Sequence, residues 1–171
     1  LYLLHRDDPE VPVGEIVDAL NGHHQAGRIG AFGGSNWSHE RIAEANAYAE
    51  ANSLCGFVAS SPHFSLAEMV SPPWPGCISV SGPDGRRARD WYAQSRMPLL
   101  PWSSLAGGFF SGRVAADDWD KLKDEQNPYY SQANFRRLER VEQLAAERGL
   151  SVPQLALAYM LNSPMNVFAL T

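Results

Sequence analysis

Five side chains that could take part in binding or proton chemistry follow short apolar stretches of the sequence; they are His5, Ser35, Asn36, Ser61 and Trp102. An imidazole can polarise a carbonyl oxygen or carry a proton, and an indole offers a flat face to a planar ring. Each apolar stretch reads as a buried strand whose last residues emerge at its carboxyl end. In a closed parallel barrel the reactive groups lie at that end of the strands. We therefore expect these five side chains to meet at one rim.

Other interpretations of such residues stay open on sequence alone. A histidine at a strand end is often only a hydrogen-bonded structural group, and a single tryptophan such as Trp102 is often part of a core. Asp7 and Asp8 could be the paired carboxylates of a glycosidase barrel, although a turn at Pro9 favours a solvated loop. The pair Gly107-Gly108 could present backbone amides to a diphosphate or could be a simple flexible turn.

Helical and strand-like patterns alternate along the chain. The strand-like runs span residues 1–4, 28–34, 55–60, 97–102 and 166–170. The helical patterns span residues 13–26, 38–52, 87–96, 133–148 and 151–161. In the last of these we expect Leu155, Leu157, Ala158, Met160 and Leu161 to face the core. Strands that alternate with helices predict an α/β fold with a parallel sheet. A complete (β/α)8 barrel needs roughly 250 residues, so this chain can form only part of one.

A long irregular segment, residues 61–86, interrupts this alternation. It contains five prolines and three glycines. Connections of this length inside a compact domain are usually functional or mobile. Trp74 lies in its middle, and could form a lid or a wall of a substrate pocket, or could simply fold back as packing.

The composition limits the classes of partner. The net charge is −5 and the chain has no basic stripe, which argues against nucleic acid. No apolar run approaches the ~20 residues of a membrane span, so we expect no membrane partner. Cys55 and Cys77 lie in unrelated contexts, which favours a reduced, cytoplasmic protein without a metal site over a single disulfide.

The two ends of the chain lie directly in strand-like runs. Natural domains usually begin and end in surface segments. We therefore expect residues 1–171 to be a single partial TIM-barrel domain, truncated at both ends. Open sheet edges of this kind favour pairing with the missing half of the barrel or self-association.

Four motifs together resemble the aldo-keto reductase family. They are Leu3-Leu4-His5-Arg6-Asp7, Gly33-Gly34-Ser35-Asn36-Trp37, Phe64-Ser65-Leu66 and Pro101-Trp102-Ser103-Ser104-Leu105-Ala106-Gly107-Gly108. Their order and spacing agree with the family across essentially the whole chain. The resemblance implies a (β/α)8 TIM barrel of which this chain covers strands four to eight. It also implies a nicotinamide cofactor, normally NADP(H) with NAD(H) possible, and a small-molecule carbonyl substrate.

The resemblance further implies roles for individual residues. His5 matches the active-site histidine, which hydrogen-bonds the substrate carbonyl. Ser35 and Asn36 match the pair that holds the nicotinamide carboxamide. Ser61 replaces a usual glutamine that also contacts this carboxamide. Trp102 replaces an aromatic residue, typically tyrosine, that stacks on the nicotinamide ring.

The same comparison places Ser103, Leu105 and Gly107 in the segment that embraces the pyrophosphate, where Ser104 replaces a usual proline. The family's proton-donating tyrosine and the lysine and aspartate that assist it come from the first three strands, which this chain lacks. We therefore expect a fragment of an NADP(H)-dependent oxidoreductase that is inactive alone. The alternatives are a non-catalytic, cofactor-sensing or partner-binding subunit of the same fold and, less favoured, the glycoside hydrolase.

Overall fold

Three short parallel strands form the only regular sheet of the computed structural model, which describes all of residues 1–171. The strands lie in sequence order and are β1 (Tyr2–Leu4), β2 (Phe32–Ser35) and β3 (Ser60–Ser61). Both pairs are parallel, with Leu4 opposite Gly34 and Gly34 opposite Ser60. The carboxyl ends of the three strands therefore lie along one edge of the sheet.

The other two predicted strands are present only as extended segments with isolated parallel bridges. Leu99 bridges to Ser60 on one side and to Val167 on the other. Five parallel segments thus follow one another in sequence order, as in part of a barrel, but the predicted count of five strands is not confirmed. Pro98 and Pro101 contribute no backbone N–H, which is a physical reason for the sparse ladder here.

The structure has six α-helices; five have bounds close to the predicted ones, and the short fourth helix was not predicted. The six helices are α1 (Val13–Gln25), α2 (His39–Ala51), α3 (Arg86–Ser95), α4 (Trp119–Leu122), α5 (Gln132–Arg148) and α6 (Val152–Leu161). Local chemistry fixes several ends. The Ser38 hydroxyl accepts a hydrogen bond from the Arg41 N–H at 3.1 Å at the start of α2, and α5 ends at Gly149 with φ of 64°, as capping preferences predict.

The main core lies between the sheet and the helices. It is built from side chains that are almost completely buried on β2, α1, α2 and the extended segment near residue 99, among them Val17, Phe32, Ile42 and Leu99. Burial of each such side chain contributes about 1.5–3 kcal/mol. This core holds the strands that carry the candidate site residues.

A second core lies beneath α5. Residues 106–130 contain two short 3-10 helices, Ala106–Gly108 and Ala116–Asp118, followed by α4. Phe110 and Leu138 are completely buried in this cluster. Three short helical turns thus contribute to this second core.

The inward face of α6 also differs from the predicted one. Ala156 and Met160 are its buried residues, whereas Leu161 is 56% exposed. The helix is apolar on nearly every side, so the sequence pattern does not select one face.

None of the six helices combines the length and the apolar character that crossing a bilayer requires. The structure leaves both Cys55 and Cys77 as free thiols.

Candidate active site

A buried cluster of hydroxyl and amide groups lies at the carboxyl ends of β2 and β3. The Ser35 hydroxyl donates to the Ser61 carbonyl at 2.8 Å, and the Asn36 side-chain amide donates to the Ser35 hydroxyl oxygen at 3.2 Å. The Ser61 hydroxyl donates to the Leu100 carbonyl at 2.6 Å. Ser35, Asn36 and Ser61 are each less than 9% exposed. Three of the predicted site residues thus form one hydrogen-bonded group.

Asn36 joins this group to two other parts of the chain. Its side-chain nitrogen donates to the His5 carbonyl at 3.2 Å, and its side-chain oxygen accepts from the Ile78 N–H at 3.4 Å. Its backbone has φ of 56°, in the left-handed region that asparagine tolerates better than most residues. Asn36 therefore connects the end of β1 with the long proline-rich segment.

His5 follows β1 directly, as the sequence predicts, and its side chain is exposed. Beside it, Asp7 pairs with Arg41, whose Nε lies 3.0 Å from the Asp7 carboxylate. The Asp8 carboxylate accepts from the Glu10 N–H at 3.1 Å. Both carboxylates thus hold the local chain in place, which argues against the paired acid and base of a glycosidase.

The Trp102 ring lies in an aromatic cluster that also contains Trp74, His63 and Tyr129. Trp74 lies 5.4 Å from Trp102 between ring centroids, with 31° between the ring planes. His63 lies 5.1 Å from Trp102 and 5.4 Å from Tyr129. The backbone N–H of Trp102 donates to the Pro62 carbonyl at 3.2 Å. This bond connects the cluster to the end of β3, next to Ser61.

His63 is a residue of this region that the sequence interpretation did not single out. It is completely buried, and its Nδ1 lies 2.8 Å from the Ser79 hydroxyl. Its Nε2 is buried without a partner. Burial lowers the pKa of His63 to about 4, because desolvation disfavours the charged imidazolium. Its position two residues after a strand end was the available signal.

The segment after Trp102 adopts left-handed backbone conformations where the pyrophosphate segment is predicted. Ser103, Ala106 and Gly107 have φ of 52°, 54° and 59°. A side-chain carbon at Gly107 would lie 3.1 Å from the Tyr129 ring. Burial raises the pKa of Tyr129 to about 12, and a hydrogen bond with the Ser103 side chain partly offsets this. Leu105, half-buried, precedes this turn. The predicted segment thus packs against the aromatic cluster.

One asparagine from α5 fixes the proline-rich segment from the other side. The side chain of completely buried Asn134 donates to the Glu68 carbonyl and to the Tyr129 carbonyl, each at 2.7 Å, and accepts from the Glu68 N–H at 3.1 Å. Arg137 adds an ion pair with Glu68 at 2.6 Å. These contacts hold residues near 68 firmly against the second core.

The types of these side chains suit a flat ring that carries a carboxamide, since they offer hydroxyl and amide groups beside an indole face. In the arrangement described, however, the hydroxyl hydrogens of Ser35 and Ser61 and both amide hydrogens of Asn36 are donated within the protein. The Trp102 ring also lies against Trp74. The residues fit such a ligand by chemistry, and local rearrangement must free them first.

Comparisons with known proteins agree on one family. The sequence model of the aldo/keto reductase family matches residues 1–171. A protein of Oryza sativa subsp. japonica, named "Probable voltage-gated potassium channel subunit beta", is 28% identical over 170 residues, which cover 94% of this chain and 48% of that protein. An aldo-keto reductase of Alternaria alternata is 29% identical over 168 residues, with 92% of this chain and 40% of that protein covered.

A solved structure supports the same fold. The glycerol dehydrogenase of Gluconobacter oxydans is similar with a TM-score of 0.67 over 98% of this chain and 47% of that chain, at 23% identity. At that identity the likeness shows the fold alone. The chain spans about half the length of the curated relatives it matches. Because the family match extends over all 171 residues, this chain belongs to the aldo/keto reductase family.

Proposed function

We propose that this chain supplies the nicotinamide-binding part of an enzyme that transfers hydride between NADP(H) and the carbonyl group of an aldehyde or ketone. NAD(H) is the alternative cofactor. The observation that carries the proposal is the hydrogen-bonded group of Ser35, Asn36 and Ser61 beside Trp102. The placement of the chain as strands four to eight of the parent barrel is part of the same proposal.

Each predicted site residue has a role in this proposal. Bound at this rim, the cofactor would supply the hydride. Ser35, Asn36 and Ser61 would orient the carboxamide, and Trp102 would fix the plane of the ring. Such positioning is the main contribution of a protein to hydride transfer. The His5 imidazole would donate a hydrogen bond to the substrate oxygen, where negative charge develops.

The remaining predicted contacts lie farther along the chain. The backbone around Ser103, Leu105 and Gly107 would face the pyrophosphate, since left-handed backbone conformations occur here and such conformations can form an anion-binding nest. The assignment of Trp74 to the substrate wall remains a prediction.

Binding of NADPH, followed by quenching of tryptophan fluorescence, tests the proposal. Asn36→Gly keeps a left-handed backbone accessible and removes the amide, so we expect affinity to fall roughly tenfold, the effect of one or two lost hydrogen bonds. Asn52→Ala is the matched control, because Asn52 is an exposed asparagine at the end of α2. Equal affinities of these two variants for NADPH would contradict the proposal.

Turnover is proposed to need residues that this chain does not contain. The family's proton-donating tyrosine, with its lysine and aspartate, belongs to the first three strands in the resemblance given above. We expect the purified 171-residue chain to show no NADPH-dependent reduction of a test aldehyde. Reduction at a rate that depends on His5 would overturn this part of the proposal.

A second candidate is a non-catalytic subunit of the same fold, which senses the cofactor or binds a partner protein. Two observations favour it: Ser61 stands where the family usually has glutamine, and the relative from Oryza sativa carries the name of a channel subunit. A parent protein that binds NADPH and leaves aldehydes and ketones unreduced would favour this candidate over the reductase.

The partners proposed for the sheet edges are the missing half of the barrel or a second copy of the chain. An apolar groove of about 560 Å³ beside β1 is lined by residues such as Leu4, Ile16 and Ile29. At the other edge Phe168 is 55% exposed. Sedimentation of the purified chain over a range of concentrations tests self-association. Nucleic acid and membranes are not proposed as partners, and a cytoplasmic location is proposed because both thiols are free.

A further inference from the structure

Trp74 is the one residue of the segment 71–76 that is not exposed. Its neighbours Pro72, Pro73 and Pro75 all lie at the surface. A large aromatic side chain that alone turns inward from an exposed loop acts as the anchor of that loop.

The backbone of this loop has very few attachments of its own. Before it, the Val70 N–H donates to the Pro128 carbonyl at 2.8 Å, and after it the His63 N–H donates to the Ile78 carbonyl at 2.8 Å. Between these two points there is one backbone hydrogen bond, from the Cys77 N–H to the Trp74 carbonyl at 3.4 Å. The position of the loop therefore depends mainly on where the Trp74 side chain packs.

The Trp74 ring lies against the Trp102 ring and also contacts Arg6. The Arg6 guanidinium carbon lies 5.3 Å from the Trp74 ring centroid, within the range of a cation–π contact. Ile78, directly after the loop, donates its N–H to the Asn36 side chain. The loop thus covers Trp102, and the residue at its end contacts Asn36.

The covered state also leaves polar groups unsatisfied. The indole nitrogens of Trp74 and Trp102 are both buried without an acceptor. Buried donors without partners are unfavourable relative to the hydrated state. Opening the loop would return the Trp74 N–H to water, which offsets part of the free energy lost when the two rings separate.

From these contacts we propose that residues 70–77 form a gate, in which Trp74 occupies the face of Trp102 that receives the nicotinamide ring and must leave before the ring can bind. This inference rests on the proposed function. It adds a closed state of the protein, in which Trp74 covers the proposed nicotinamide-binding face of Trp102. Arg6 stabilises the closed state through its contact with Trp74.

The gate has a measurable consequence for binding. If only a minor fraction of molecules is open, the apparent association constant is the intrinsic constant multiplied by that open fraction. Trp74→Ala removes the covering ring, and we expect it to tighten the binding of nicotinamide mononucleotide and of NADPH on the order of tenfold. Trp74→Phe should lie between the wild type and the alanine variant. Trp91→Phe, a change in α3 away from this loop, is the matched control and should bind as the wild type does.

A second measurement does not depend on any cofactor. Trp102 should become accessible to acrylamide quenching in Trp74→Ala, and the exciton-coupled circular dichroism of the two indoles should disappear, while the thermal unfolding transition remains cooperative. An unchanged quenching profile would overturn the gate.

The binding results separate the two proposals. Weaker or unchanged binding by Trp74→Ala would overturn the gate, since Trp74 would then be a wall for the bound ring or simple packing. Wild-type affinity in Trp102→Ala would instead overturn the proposed function, because the nicotinamide ring would then bind elsewhere. Loss of binding in Trp102→Ala together with tighter binding in Trp74→Ala supports both.

Discussion

The buried imidazole of His63 should make the stability of this protein depend on pH. Burial holds the pKa of His63 at about 4, against 6.5 for an exposed histidine. Between these values the unfolded chain binds one more proton than the native chain. The free energy of unfolding therefore rises with pH across this window and falls as the solution is acidified.

The expected size follows from the same two values. A shift of about 2.5 pKa units corresponds to about 3 kcal/mol over the whole window. Between pH 7 and pH 5 the unfolded state gains most of this proton binding, so the wild type should lose about 2 kcal/mol through this one group. Because His63 is completely buried, solvent screening reduces this value little.

Urea unfolding of two variants at the two pH values isolates this contribution. His63→Asn removes the titrating group and keeps an atom near the Ser79 hydroxyl, so it should lose about 2 kcal/mol less than the wild type between pH 7 and pH 5. His23→Asn replaces an exposed histidine and should retain the wild-type pH dependence. The reasoning fails if the wild type and His63→Asn lose the same stability on acidification.

Three further changes test the packing of the fold. Gly33→Ala would place a carbon 2.2 Å from a backbone oxygen and should destabilise the protein by about 3 kcal/mol or more. Gly22→Ala in α1, where an added carbon has nothing within 4 Å, should stabilise the protein by about 0.5–1 kcal/mol. Thermal unfolding of the two variants tests this difference. Asn134→Ala removes three buried hydrogen bonds and should cost about 2–4 kcal/mol in urea unfolding, with faster proteolysis near residue 68. Leu99→Ala, at a completely buried side chain, should cost about 2–5 kcal/mol, whereas Leu150→Ala at a 40% exposed position should change stability by less than about 1 kcal/mol. A similar loss in the two leucine variants would show that the core is misassigned.

Local signals predicted the helices well, because the residues that begin and end a helix act on the nearest backbone groups. Ser38, Ser131 and Ser151 each precede a helix in the structure. The strands near residues 99 and 167 were harder to predict, because their pairing depends on residues distant in sequence and because nearby prolines lack the backbone N–H donor.

The candidate site shows the same difference between features set by neighbouring residues and features set by distant contacts. The positions of Ser35 and Asn36 at a strand end followed from the pattern of the chain around them. The burial of His63 depends on Ser79 and Trp102, which are 16 and 39 residues away in sequence. The place of His63 just after a strand end indicates a position near the rim, but only the folded arrangement reveals these contacts.

Asn36 combines two demands that few amino acids can meet together. Its left-handed backbone selects for glycine or asparagine, while its bonds to His5 and Ile78 require a side chain that both donates and accepts. Glycine satisfies the first demand only, glutamine only the second, and aspartate lacks the donor. Each of these three substitutions at position 36 therefore loses either the backbone preference or a hydrogen bond that joins β1 to the proline-rich segment.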